Sequence, residues 1–429
     1  MANPGLKAYP GTRDFYPDDM EFRNWMAEKQ RIVCERYGYR EYGAPILEYL
    51  DLYLRKSSEE IVSEQLYIFT DRGERKVAIR PEMTPTLARM VSGRPQSYLL
   101  PLRWFSIANF MRYERPGRGR LREFYQLNVD LLGSESISAD VEVLALACDV
   151  MKEYGASPSD YVLRFSDRRL LDHSFADLNG DQLRELGRLL DKKDKLNPED
   201  FRKSVDDLGG AWQRKDLLQQ VEAFYELSLD SAEGNPILEH LREIRDRLSE
   251  HVSKESFRFD PGIVRGFDYY TGLVFEMNDT HPDNARALFG GGRYDRLLSQ
   301  FGKESIPAVG FGMGDVTLQD FLEVHNLRPD LGRRTSLFLT VFSEDTAGPT
   351  EKAASRLRSS GLSVELSLDG KRKLGKQFDL AEKKGHSHVG VMGPEELEKG
   401  MIRIKNLSTG SQQDVAVDDL NPTVLDSIQ

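Results

Sequence analysis

Between positions 110 and 133 the chain reads FMRYERPGRGRLREFYQLNVDLLG, and this stretch narrows the possible folds more than any other. Apolar and polar residues alternate over 104–112 and again over 124–132, which predicts two strands joined by a long hairpin loop. Pro116-Gly117 and Gly119 punctuate the loop, and Arg112, Arg115, Arg118, Arg120 and Arg122 crowd it. Arginine keeps its charge, and its planar fork matches phosphate oxygens in pairs, so such a loop suits a polyphosphate. The same composition would also serve a solvated charged hairpin, although Glu114 and Glu123 are its only acids.

The rest of the chain sets the frame. Its 429 residues are enough for two or three domains with sizeable cores. A net charge of −11 argues against a general nucleic-acid coat protein, yet leaves room for a local basic face. Cys34 and Cys148 stand alone, with no CxxC and no His/Cys cluster at ligand spacing, so neither a disulfide nor a metal site is expected. No stretch reads as a signal or membrane segment, and a cytoplasmic enzyme is the default expectation.

Apolar residues at helical spacing predict a first helix over 19–37, after a turn at Pro10-Gly11-Thr12-Arg13-Asp14. Strands and hairpins are expected over 42–134, broken by a helix after Thr84. An amphipathic helix over 139–155 and a strand over 163–166 follow. From about 170 to 252 the pattern turns to Leu, Arg, Asp and Glu at 3.6-residue spacing, the mark of a helical insertion. Strands resume at 257–259 and 271–277, and a glycine-rich region spans 289–314. A polar break at 325–334 (HNLRPDLGRR) precedes strand–helix alternation, with strands at 336–342, 363–368 and 388–392, helices at 348–359 and 374–384, and a closing hairpin at 401–407. The expected domains are therefore 1–325, a linker at 326–334, and an α/β unit with parallel strands at 335–429.

Three further segments concentrate small, charged and aromatic residues. In Ile79-Arg80-Pro81-Glu82-Met83-Thr84 a carboxylate and a hydroxyl two apart would share one side of a strand end, facing an ammonium group. Thr84 could equally cap the helix that follows. In Val264-Arg265-Gly266-Phe267-Asp268-Tyr269-Tyr270-Thr271-Gly272, the tyrosines offer hydroxyls and flat faces for a polar aromatic ligand, or core for a hairpin corner. Gly290-Gly291-Gly292-Arg293-Tyr294-Asp295, with PAVGFGMG at 307–314, allows either a close ligand approach or a tight strand-to-helix turn. Neither a GxxxxGK[ST] loop nor an arrangement for covalent catalysis is present. Together the segments point to nucleotidyl transfer or ATP-dependent ligation, in which positioning and charge neutralisation suffice.

These residues also carry a resemblance. GTRDFYP, RPEMT, FMRYERPGRGRLREFYQ, RGFDYYTG and GGGRYD resemble the signatures of class II aminoacyl-tRNA synthetases, and specifically of the histidyl-tRNA synthetase family, over nearly the whole chain; GKRKLGKQFDLAEKKG is similar to that family's anticodon-binding domain. The resemblance implies an α+β fold: an antiparallel-sheet catalytic core with a helical insertion, then the α/β anticodon-binding domain. It implies formation of histidyl-adenylate from L-histidine and ATP, then transfer to the 3′ end of tRNA(His), with ATP as substrate and Mg²⁺ carried on it. Arg112 and Arg265 would be the catalytic groups, one on each side of the α-phosphate, and Arg120 would grip the outer phosphates. Glu82, Thr84 and Gln126 would bind the α-amino group, with Met83 in the same histidine-binding segment. Asp130 and Tyr270 would read the imidazole, and Tyr269 would line its pocket. A homodimer joined near Pro45 is also implied.

The chain departs from the family pattern twice. The third class II motif normally ends in an arginine that packs on adenine, and here that position is Thr317. The hairpin tip is Gly117-Arg118, which makes Arg115 and Arg118 the candidate contacts to the 5′ end of tRNA. Thr317 would also suit a regulatory paralogue that binds histidine without aminoacylating. The C-terminal domain, the hairpin arginines and Arg265 favour the synthetase, and nothing adds the extended basic segments of a pure RNA-sensing module.

Overall fold

A computed structural model describes residues 6–54, 64–94, 97–193, 196–263, 269–284, 286–296, 299, 305–331 and 336–428. Arg265 lies outside these residues. The chain divides into two compact units, Met1–Arg328 and Pro329–Gln429.

The first unit is built on an eight-stranded sheet. In spatial order its strands are Arg40–Glu41, Leu102–Met111, Glu123–Leu132, Ala308–Gly314, Ala287–Arg293, Leu273–Asp279, Tyr161–Asp167 and Phe257–Phe259. The six inner strands pair antiparallel and the two outermost pair parallel. The arginine-rich hairpin supplies the second and third strands, in unbroken register from Leu102 opposite Leu132 to Met111 opposite Glu123. The glycine-rich segments, open between a turn and a close approach in sequence, are the two strands beside it. A side chain at Gly310 would stand 2.3 Å from the Val129 carbonyl oxygen, so only glycine lets that strand lie flat against the hairpin.

Helix Pro17–Arg36 packs on helix Ile137–Glu153 through buried Phe22, Met26 and Val33, and Lys29 and Arg36 both pair with Glu153. The second helix is buried from Ala139 to Met151 on nearly every turn, as its run of Val, Leu and Ala requires. Five helices, Arg169–Ser174, Gly180–Leu190, Pro198–Ala211, Leu217–Tyr225 and Pro236–Leu248, form the insertion. Three of them start at asparagines (Asn179, Asn197, Asn235) whose side chains accept amide hydrogens of the first turn.

A three-stranded antiparallel sheet, Leu47–Tyr49, Lys76–Ile79 and Tyr67–Thr70, leads into helix Thr84–Ser92. Thr84 is therefore the first helical residue, and Met83 holds the cap position. The first unit also runs on to Arg328, past the polar break at 325: His325 bonds Asp279 at 2.8 Å, and the Arg328 guanidinium lies 4.4 Å from the Phe22 ring centre.

The second unit has a five-stranded sheet in the order Val364–Leu366, Leu337–Leu339, His388–Val391, Met401–Asn406, Gln412–Ala416. The first three strands are parallel, and the last two close it as an antiparallel hairpin. Helices Glu344–Ser359 and Leu374–Lys383 are the crossovers; Pro394–Lys399 and Pro422–Ser427 are two short helices that the sequence pattern did not disclose.

Candidate active site

Strand Glu123–Leu132 puts Gln126, Asn128 and Asp130 on one face, because alternate residues of a strand share a side. All three line a small cavity of about 50 Å³ together with Glu82, Thr84, Arg112, Tyr269, Tyr270 and Tyr294. Its floor is glycine: a side chain at Gly310 would stand 2.5 Å from Asp130 Oδ1, and one at Gly312 would stand 2.6 Å from Gln126 Nε2. The sheet glycines are thus what gives these polar side chains room.

Asp130 is fully enclosed. Tyr294 donates its hydroxyl hydrogen to Asp130 Oδ1, while Oδ2 is buried with no hydrogen-bond partner among the described residues. Burial pushes this carboxyl up to about 7, and the Tyr294 hydrogen bond only partly offsets it. A buried polar atom left unpaired is costly and marks a place where a ligand atom can complete the bonding. Tyr269 donates to Glu82 Oε2 at 3.1 Å, and its ring meets those of Tyr270 and Tyr294 edge-on. Burial, and then the Glu82 charge, raise both Tyr269 and Tyr270 phenols well above the ordinary range, so both remain protonated.

A second cavity, of about 720 Å³, opens beside the first, and Arg112, Gln126 and Gly312 belong to both walls. Arg112 is held by its Nε donating to the Pro81 carbonyl at 2.9 Å, and it lies over the Phe124 ring. Arg120 lines the large cavity and pairs with Glu114 at 2.7 Å. The insertion contributes Leu190, Lys193 and Tyr225 to the opposite wall. The loop closes on itself through paired backbone bonds between Gly117 and Arg120, at 2.9 and 3.0 Å, with Gly119 at φ +69°. At the tip Arg115 and Arg118 are exposed, and Arg118 donates to Asn284 at 3.1 Å.

The start of the chain fastens this hairpin. The Gly11 carbonyl accepts the amides of Arg122 and Glu123 at 2.8 and 3.1 Å. Arg13 pairs at 2.6 Å with Asp315, whose other oxygen accepts the Tyr125 amide. Beneath the small cavity, buried Arg293 donates to Asp140 at 2.7 Å and to Asp295 at 3.3 Å, and Thr271 donates to Asp295 at 3.0 Å. That network ties Thr271 to the segment after Gly292. Burial raises Asp140 to about 6 against the pull of Arg293.

The structure therefore gathers Glu82, Thr84, Gln126, Asp130, Tyr269 and Tyr270 in one cavity, with Arg112 and Arg120 in the next. Met83 is not among them: it holds the helix cap position, is completely buried and does not line the cavity. Asn128 and Tyr294 line the cavity without having been singled out as site residues. Asn128 was legible, since it sits midway between Gln126 and Asp130 on the same face. Thr317 lines the large cavity, but it brings no cation there: its hydroxyl donates to the Leu288 carbonyl at 2.6 Å.

Residues 11–316 match the sequence profile described as histidyl-tRNA synthetase. The chain belongs to the histidyl-tRNA synthetase family. Residues 339–426 match the anticodon-binding domain profile. A histidine–tRNA ligase of Leptospira biflexa is 42% identical over 419 residues, covering 94% of each chain, and one of Pyrococcus abyssi is 38% identical over 427 residues, covering 97% of each. The crystal structure of histidyl-tRNA synthetase from Nostoc superposes with a TM-score of 0.80 over 99% of this chain and 98% of that one; at 22% identity this likeness speaks to the fold. The α+β architecture of a class II synthetase is thus established, and membership of the family implies the use of ATP.

Proposed function

We infer that this chain is a histidine–tRNA ligase in which the two adjoining cavities hold the two small substrates. The observation that carries the assignment is Asp130: a buried carboxyl with one unpaired oxygen, at the bottom of the cavity that shares Arg112 with the larger one. Neutral imidazole offers one N–H donor and one ring-nitrogen acceptor, and Asp130 Oδ2 meets the first. Tyr270, protonated and in the same wall, is the donor for the second. An apolar amino acid would leave both groups unpaired, at about 1–3 kcal/mol each.

Glu82, Thr84 and Gln126 surround the α-ammonium group, and the carboxylate lies toward Arg112 at the junction. A carboxylate oxygen attacks the α-phosphorus of ATP; the bond to the bridging oxygen breaks and pyrophosphate leaves. Arg112, together with Arg265, neutralises the charge gathered on the α-phosphate, and Arg120 holds the outer phosphates. The terminal 3′ ribose hydroxyl of tRNA then attacks the acyl carbon and displaces AMP. Mg²⁺ bound with ATP would supply further neutralisation of phosphate charge. Glu114 and Glu276, oxygen donors in the cavity wall, suit its preference, with Glu114 already engaged by Arg120.

Arg115 and Arg118, exposed at the hairpin tip, face the acceptor end of tRNA, and the second unit takes the anticodon. A homodimer is supported by exposed apolar residues on the small sheet, Leu47 at 44%, Tyr49 at 60%, Ile68 at 48% and Phe69 at 44%. Histidine-dependent pyrophosphate exchange tests the assignment. Exchange specific to histidine and lost in Asp130→Ala supports it, whereas histidine binding without exchange would point to a regulatory protein.

A further inference from the structure

Thr317 leaves the large cavity without the planar cation that the family pattern puts there, and the neighbouring strand supplies another. Arg286 immediately precedes strand Ala287–Arg293 and lines both the large cavity and a small outer pocket of about 140 Å³ against the hairpin tip. Its side chain runs beside Thr317: a Cβ placed at Gly119 would stand 3.3 Å from Thr317 Cγ2 and 3.7 Å from Arg286 Cδ. Two residues on, the Leu288 carbonyl accepts the Thr317 hydroxyl, so the strand that Arg286 leads into is bonded to the very position that lacks an arginine. Arg118 at the tip donates to Asn284, which fastens the segment before Arg286 to the same loop. Among the described residues, no hydrogen bond or ion pair engages the Arg286 guanidinium.

We propose that Arg286 is the adenine-facing cation of this enzyme, its guanidinium lying flat on the base of ATP in place of a side chain from position 317. The proposal rests on the reading of the large cavity as the ATP site. The charges divide the cavity accordingly. Arg112 stands at the junction with the small cavity and Arg120 pairs in the hairpin, which sets the phosphates near them. Arg286 is absent from the junction, and the outer pocket it lines holds Leu288 and Thr317 together with Arg118 and the carboxylates Asp283 and Asp320; the apolar groups suit a flat purine and the two carboxylates are poor company for phosphate. A guanidinium is planar and weakly hydrated, so it stacks on a ring face where an ammonium does not.

The test compares wild type, Arg286→Ala and Arg286→Lys in histidine-dependent pyrophosphate exchange, alongside calorimetric titration of adenosine into each. In the alanine variant the KM for ATP and the Kd for adenosine should rise together, roughly five- to thirtyfold, while kcat and the KM for histidine stay within about twofold. Lysine, which keeps the charge and loses the plane, should recover little of either. An unchanged adenosine affinity, with or without weaker ATP binding, would overturn the proposal, since it would make Arg286 a phosphate contact or a bystander. Full recovery by lysine would overturn it as well. A wild type that binds adenosine but shows no exchange would sink the ligase reading while leaving the adenosine comparison to decide the role of Arg286.

Discussion

The two cavities are built in opposite ways. The end proposed for histidine is made of strand interiors: Gln126, Asn128 and Asp130 from one strand, Gly310 and Gly312 from the next, and Tyr294 locked onto Asp130. The end proposed for the nucleotide shares sheet residues such as Gln126, Glu276 and Gly312 but adds the hairpin loop and the insertion, with an exposed Arg120 that pairs inside the loop with Glu114. A rigid, pre-paired wall discriminates between amino acids of similar size, while a charged, open one grips a ligand whose own phosphates supply most of the binding. Selectivity and grip are therefore carried by different kinds of structure within one site.

Arg112 belongs to both ends, and its removal should erase the contrast. Arg112→Ala is expected to lower the rate of pyrophosphate exchange by about 10²–10³, the usual loss when a charge-stabilising group is removed from a transition state. A rate within tenfold of wild type would show that the two cavities work independently.

The histidine end can be broken alone. Asp130→Asn should raise the KM for histidine by roughly ten- to a hundredfold and leave the KM for ATP unchanged, the loss of one buried hydrogen bond to an ionisable partner. The same variant has a signature in stability. The Asp130 carboxyl titrates near 7 when folded, against an ordinary value of 3.8, so between about pH 4 and pH 7 the unfolded chain holds fewer protons than the folded one. Stability must fall as pH rises through that window, by at most about 4 kcal/mol. In thermal unfolding the ligand-free Asn variant should gain on wild type from pH 4 to 7, with no further gain above. A constant difference across that range would mean that Asp130 is not buried as described.

Gly310→Ala sharpens the claim that the wall is rigid. Its methyl would meet backbone oxygen on the hairpin strand, an overpacking that costs about 1–3 kcal/mol, so the thermal midpoint should drop and histidine affinity with it. The mildest effect belongs to the open end: Arg118→Ala should slow aminoacylation several-fold and spare adenylate formation. If exchange fell as well, the contact to Asn284 would be serving the nucleotide cavity rather than tRNA.

This division also governs what the sequence revealed. Period-two alternation located the hairpin strands to within a residue or two, and it put Gln126 and Asp130 on one face. Glu82 and Thr84 share the cavity as expected, although the turn into a helix at Thr84 brings them there rather than the end of a strand. The triple glycine was ambiguous because a strand without side chains shows no alternation to count; only its register against Phe311 and Gly310 reveals it as a sheet interior. Asp315 and Arg286 were hidden for a different reason. Their importance comes from Arg13 and from Gly119, partners 302 and 167 residues away, and no local pattern reports such a pairing.

The Gly11 carbonyl that holds Arg122 and Glu123 has a practical consequence for anyone handling this enzyme. A protease that clips just before the first helix, or a purification tag that drags on residues 9–13, would unfasten the loop proposed to grip the phosphates. Preparations trimmed there should remain folded and lose activity, and batch-to-batch differences in specific activity would then trace to the integrity of a dozen residues that contain none of the catalytic groups.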